Sequence, residues 1–142
     1  MKTLGLISCT KSKQDYPCQA SEIYSASDLF RKAYSYAIKN YDFVAILSAK
    51  YGLLFPEDKT EPYDLTLNDM NSSERKEWTK KVFKQMKSRL KLEDFTNVYF
   101  HTGKKYREHL IPKLENLGIR CEVPLKCLGI GKQKAWYKKH DY

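Results

Sequence analysis

Four stretches of this 142-residue chain concentrate residue types that can hold an anion or move a proton: CTKSK at 9–13, SAKYG at 48–52 with PYD at 62–64, HTGKKY at 101–106, and GIGKQ at 129–133. In PYD, Pro62 and Tyr63 stiffen the chain before a single carboxylate, Asp64. A carboxylate fixed in this way can orient or deprotonate a water for attack on a sugar carbon or a carbonyl. Capping of the following TLND segment is the competing role for Asp64. His101 can donate to a developing anion on a departing group or act as general acid, or it can be a satisfied core histidine. In CTKSK, the hydroxyls of Thr10 and Ser12, the backbone N–H groups and the ammonium of Lys11 or Lys13 can converge on an anion. The stretch lacks the spacing of a nucleotide P-loop. Cys9 is a nucleophile if nearby lysines favour its thiolate, and inert packing otherwise.

The remaining candidates are binding residues. Ser48 and Lys50 close an apolar run, and Gly52 permits a sharp turn or a close approach to a ligand. Tyr51 offers an aromatic face that can stack on a base or cap a core, and Tyr63, next to Asp64, is a further candidate binding residue. Gly103 and Tyr106 form a GxxY at the start of a helical pattern. Gly129, Gly131 and Gln133 open another, whose N-terminus can face an anion.

These residues are useful only if the chain brings them together, and the pattern of elements predicts that it does. TLGLIS (3–8), FVAILS (43–48) and NVYFHT (97–102) are nearly uninterrupted apolar runs, and IRCEV (119–123) is a weaker one. Such runs read as strands covered on both faces of a parallel sheet. Helical patterns lie between them. One opens at SASD, with Ser25 and Asp28 at capping-box spacing, and runs to about Asn40. A second opens near Asn71 and carries Trp78, Val82, Met86 and Leu90 on one stripe, opposite a lysine-rich face. A third spans 104–117, with Pro112 as a kink and Gly118 as a stop. A fourth, short helix follows Gly131. The alternation predicts one α/β domain over residues 1–142: a three-layer α/β/α sandwich around a mainly parallel four-stranded sheet, glycosylase-like or flavodoxin-like. Each of the chemically rich stretches follows a strand. All of them should therefore share the carboxyl edge of the sheet, where open α/β sheets bind ligands.

Composition narrows the partner. Twenty-six Lys and Arg against seventeen Asp and Glu give a net charge of +9, which favours a polyanion: nucleic acid, DNA before RNA, or a nucleotide. No apolar run is long enough for a membrane span, and the start of the chain does not read as a secretory signal, so a cytoplasmic protein with no membrane partner is expected. Cys9 and Cys18, and Cys121 and Cys127, are separated by eight and by five intervening residues, spacings of neither a zinc knuckle nor a redox pair. No metal and no cofactor are expected.

Taken together, CTKSK, YSASDLF, LSAKYGLL, PYDLTL, the GxxY and PLKCLGIGKQ resemble an uncharacterised family of small bacterial and phage proteins, a domain of unknown function. The likeness spans nearly the whole chain. More distantly, the Cys-Thr-x-x-Lys start is similar to the uracil-DNA-glycosylase-like domain of archaeosine synthase. That resemblance implies nucleobase or nucleotide handling through cleavage of an N-glycosidic bond, a chemistry shared by nucleoside deoxyribosyltransferases of similar architecture. For an enzyme of that type acting here, the expected roles are water positioning by Asp64, stabilisation of the departing base by His101, phosphate binding by Lys11 and Lys13, and stacking on the base by Tyr51. The GQDPY-type and HPSPL-type motifs of uracil-DNA glycosylases are absent. A non-catalytic nucleic-acid or nucleotide binder using the same basic rim is the alternative.

Overall fold

A computed structural model describes residues 2–9 and 13–140. Its centre is a five-stranded sheet built from β1 (Lys2–Ser8), β3 (Phe43–Ser48), β4 (Gly52–Leu54), β6 (Phe95–His101) and β7 (Arg120–Glu122), in the order β4-β3-β1-β6-β7. β1 pairs in parallel with β3 and β6, and β6 with β7, whereas β4 turns back antiparallel on β3. The four expected strands thus form the parallel part, in flavodoxin-like order, and β4 is an additional edge. A separate two-residue ribbon joins β2 (Cys18–Gln19) to β5 (Lys59–Thr60).

Side-chain alternation along the strands splits the core into two layers. Leu4, Leu6, Ala45, Leu47, Val98 and Phe100 face α3 (Ser72–Arg89), α4 (Lys104–Arg107) and α5 (Leu110–Glu115). Ile7 and Ile46 face α1 (Ala20–Ile23), α2 (Asp28–Asn40) and α6 (Ile130–His140). The link from β1 to β3 lies on one face and the links onward to β6 and β7 lie on the other. A single hand of crossover requires that swap when the chain reverses direction across a sheet.

Local chemistry sets the helix ends. Asn71 accepts from the Glu74 N–H while Glu74 accepts from the Asn71 N–H, a reciprocal cap that starts α3 where the sequence predicts it. α2 begins at Asp28 under a cap from Ser27, whose side chain accepts from the Phe30 N–H, rather than under Ser25. The expected third helix is split into α4 and α5. At Gly5, in the central strand, an added Cβ would lie 2.3 Å from the Tyr41 ring, so the sheet is bare there to admit that ring. Among the described residues, no helix is long and apolar enough to cross a membrane.

Candidate functional site

β1 has β3 on one side and β6 on the other, so the chain leaves the carboxyl ends of β1 and β6 toward different flanks and opens a crevice between them. A cavity of about 470 Å³ occupies this position, and its wall includes Cys9, Lys13, Asp64, Thr66, Asp69 and Tyr106. Four residues expected from sequence, Cys9, Lys13, Asp64 and Tyr106, therefore do meet. Thr10, Lys11 and Ser12 lie outside the described residues. Leu65, Thr66, Asn68 and Asp69 complete the wall. Leu65 and Thr66 fall within the PYDLTL stretch but are not among the expected binding residues, and their continuity with Asp64 is the signal that would have found all four.

The PYD segment is held by its tyrosine. The Tyr63 hydroxyl lies 2.6 Å from that of Tyr24 and 2.8 Å from the Ser48 Oγ at the end of β3. Ser48 Oγ in turn accepts from the Tyr51 N–H at 3.1 Å. Burial, then the nearby Cys9 thiol, pushes the Tyr63 phenol well above its ordinary range, and burial does the same to Tyr24. Both remain neutral hydroxyls. The Lys13 ammonium sits 4.5 Å from the Tyr63 ring centroid, a cation–π contact on the wall of the cavity that Asp64 also lines. Asp64 itself is exposed and lines the cavity. The cap of the following 3-10 turn (Leu67–Asp69) is Thr66, whose hydroxyl accepts from the Asn68 N–H. The capping role that competed for Asp64 is thus taken by another residue.

Tyr106 forms the opposite wall. Its hydroxyl is 3.1 Å from the Cys9 Sγ, and its ring meets Trp78 edge-on at 5.6 Å. Burial, and then Cys9, raises this phenol as well, so it stands in the cavity as a protonated O–H.

Three binding expectations are corrected by the packing. Tyr51 does not offer a free stacking face: its ring meets Tyr63 at 5.7 Å and the Lys50 ammonium at 5.2 Å, and its hydroxyl accepts from the Glu61 N–H. Lys50 is exposed and engaged with that ring rather than with the cavity. Gly52 serves the chain and not a ligand. Its φ of +79° starts β4, and the Gln85 side chain fills the space a Cβ would need, accepting from the Leu53 N–H and donating to the Tyr51 carbonyl.

The largest correction concerns His101. Its register partner in β1 is Ile7, and neighbours in a parallel sheet point to the same face, so the imidazole turns toward the α1, α2 and α6 layer. There it is 7% exposed, with one ring nitrogen 2.5 Å from the Tyr41 hydroxyl and the other 2.7 Å from that of Tyr137. Tyr36 and Trp136 surround it. With both nitrogens engaged, and with no place on the wall of the main cavity, His101 does not face a group held by Asp64.

Burial lowers the His101 pKa from 6.5 to about 4. Between those values the unfolded chain binds a proton that the folded chain refuses, so stability present above pH 6.5 falls as the pH drops toward 4. The expected loss is about 3 kcal/mol. Urea unfolding from pH 7 to pH 4 should show it, and His101→Gln should flatten the slope. The carboxylates of Asp42 and Asp58, held low by the Thr3 N–H and by Arg89 respectively, add their dependence only at more acidic pH.

His101 instead borders a second hollow of about 210 Å³, with Gly103 and Gln133 also in its wall. Gly129 and Gly131 precede and begin α6, and neither is on the wall of either cavity. Of the expected binding residues, Cys9, Lys13 and Tyr106 line the main cavity and Gly103 and Gln133 the second hollow, whereas Ser48, Lys50, Tyr51, Gly52, Tyr63, Gly129 and Gly131 line neither.

No curated protein matches the chain. A family match spans residues 4–139, nearly the entire length and all of both hollows. By that match, the chain belongs to a family of unknown function (DUF6884).

Proposed function

We propose that the main cavity takes a nucleobase-bearing ligand, a nucleotide or a nucleotide of DNA, and that the protein cleaves its N-glycosidic bond. The observation that carries this reading is the carboxylate of Asp64, uncommitted among the described residues, at the switch point of the sheet, in a cavity that also holds an ammonium and a neutral phenol. Cleavage of a glycosidic bond passes through an oxocarbenium-like state, which a carboxylate beside C1′ stabilises. Asp64 accepts one proton of an attacking water, whose oxygen bonds to C1′ as the C1′–N bond breaks. The base leaves with the bonding pair and is protonated. In place of His101, Lys13 and Tyr106 are the donors positioned to assist its departure. A net charge of +9 supports an anionic ligand.

The test is an assay of released base and of sugar cleavage, by chromatography with mass detection, using single-stranded and duplex DNA, RNA and free nucleotides. Duplex substrates would require extrusion of the base. Base release is the expected result. Salt-sensitive DNA binding with no released base from any substrate would overturn the hydrolase and support a binding protein on the same rim.

A further inference from the structure

The second hollow has its own chemistry. Lys104 and Arg107, one turn apart on α4, are the charged residues in its wall, and among the described residues no carboxylate joins them. Arg107 is fixed in place, donating at 2.6 Å to the Thr102 carbonyl. Thr102 is in the same wall, and its hydroxyl is shielded from solvent and, among the described residues, without a hydrogen-bond partner, so that a turn about χ1 would present it to the hollow. A buried hydroxyl left unpaired is costly and uncommon. Gln133 reaches the wall from α6, braced by donating to the Leu128 carbonyl at 2.8 Å. Cys127, also in the wall, holds a left-handed φ of 69°, a conformation that non-glycine residues seldom keep without a reason. Two cations, an orphaned hydroxyl and a side-chain amide around a small hollow are the donor set that an oxyanion with several acceptor oxygens would satisfy.

We propose that this hollow is a phosphate-binding subsite, with Thr102, Lys104, Arg107 and Gln133 as its donors. α4 carries Lys104 and Arg107 on this hollow and Tyr106 on the main cavity, so a single helical turn separates the two. The subsite therefore serves the phosphate of a ligand whose base and sugar occupy the larger cavity. That last step rests on the reading proposed above, whereas phosphate binding does not.

Amide resonances of Thr102, Gly103 and Gln133 should shift on titration with inorganic phosphate. Thr102→Val should weaken that binding about tenfold, the worth of a hydrogen bond to a charged group. It should leave the melting temperature of the free protein unchanged or higher, since it removes an unpaired buried hydroxyl. Arg107→Gln should weaken binding further, and Asp64→Asn should leave it intact. Unshifted resonances at these three positions, or equal phosphate affinity in Thr102→Val and the original chain, would overturn the subsite. A second arm compares a nucleoside 5′-monophosphate, and a short single-stranded oligodeoxynucleotide, with inorganic phosphate. Tighter binding of either supports the shared ligand and identifies its source. Phosphate binding with no gain from either keeps the subsite and removes the nucleotide reading.

Discussion

Replacing Asp64 by Asn should reduce base release by about 10²- to 10⁴-fold, the range typical for loss of a positioned general base, while the protein unfolds at the same temperature. Asn keeps the volume and one acceptor oxygen of Asp but cannot take a proton from water or supply a full negative charge beside C1′. Folding should not notice the change. The residue is exposed, the cap it could have supplied comes from Thr66, and its position follows from the buried Tyr63 hydroxyl rather than from its own side chain. The loss should therefore appear in kcat, with little change in KM, because only the transition state carries the developing charge. Base release by Asp64→Asn at the original rate would remove the carboxylate from the mechanism. Tyr63→Phe provides an internal comparison. It leaves Asp64 in the sequence but deprives Tyr24 and Ser48 of their shared partner, so it should lower both stability and turnover.

The contrast between Asp64 and His101 shows what could be read from sequence alone. The strands were legible because a short apolar run between turn residues fits a strand covered on both faces and little else, and β1, β3 and β6 lie where TLGLIS, FVAILS and NVYFHT place them. The capping residues of α3 announced its start. Sharing an edge follows from topology, since every loop leaving the carboxyl end of a parallel strand emerges on one rim. Sharing a cavity does not, because a side chain at the end of a strand points to one face or the other according to parity and register. Pairing of His101 with Ile7 decides that face, and register appears only in the folded sheet. The aromatic cage around His101 is drawn from α2, from the loop before β3 and from α6, which no local pattern connects. Short elements escaped for a different reason: β4, α1 and the β2–β5 ribbon have two to four residues each, too few for any periodicity to show. Tyr51 looked like a platform for a base because an aromatic beside a glycine is ambiguous until its neighbours are known. Its partners are Tyr63 and Lys50.

Trp78→Ala should be the most destabilising single change considered, at about 3–5 kcal/mol, a large share of the roughly 5–15 kcal/mol by which a domain is stable. Trp78 is only 5% exposed and packs in the layer beneath α3, so truncation leaves a void among Leu47, Val82 and their neighbours. It also removes the indole N–H that donates at 2.9 Å to the Ser48 carbonyl. Trp78→Phe separates these effects by keeping most of the ring while deleting the donor, and its cost should be about 1–3 kcal/mol. Urea unfolding resolves both values. The two variants should also differ at the cavity. Ser48 holds Tyr63 through its hydroxyl and Trp78 through its carbonyl, and the indole backs the Tyr106 ring, so one buried side chain braces both walls between which Asp64 stands. Under conditions where each variant is fully folded, ligand affinity should fall more in Trp78→Ala than in Trp78→Phe. If the cavity were positioned by the loops alone, the two folded variants would bind equally, however different their stabilities.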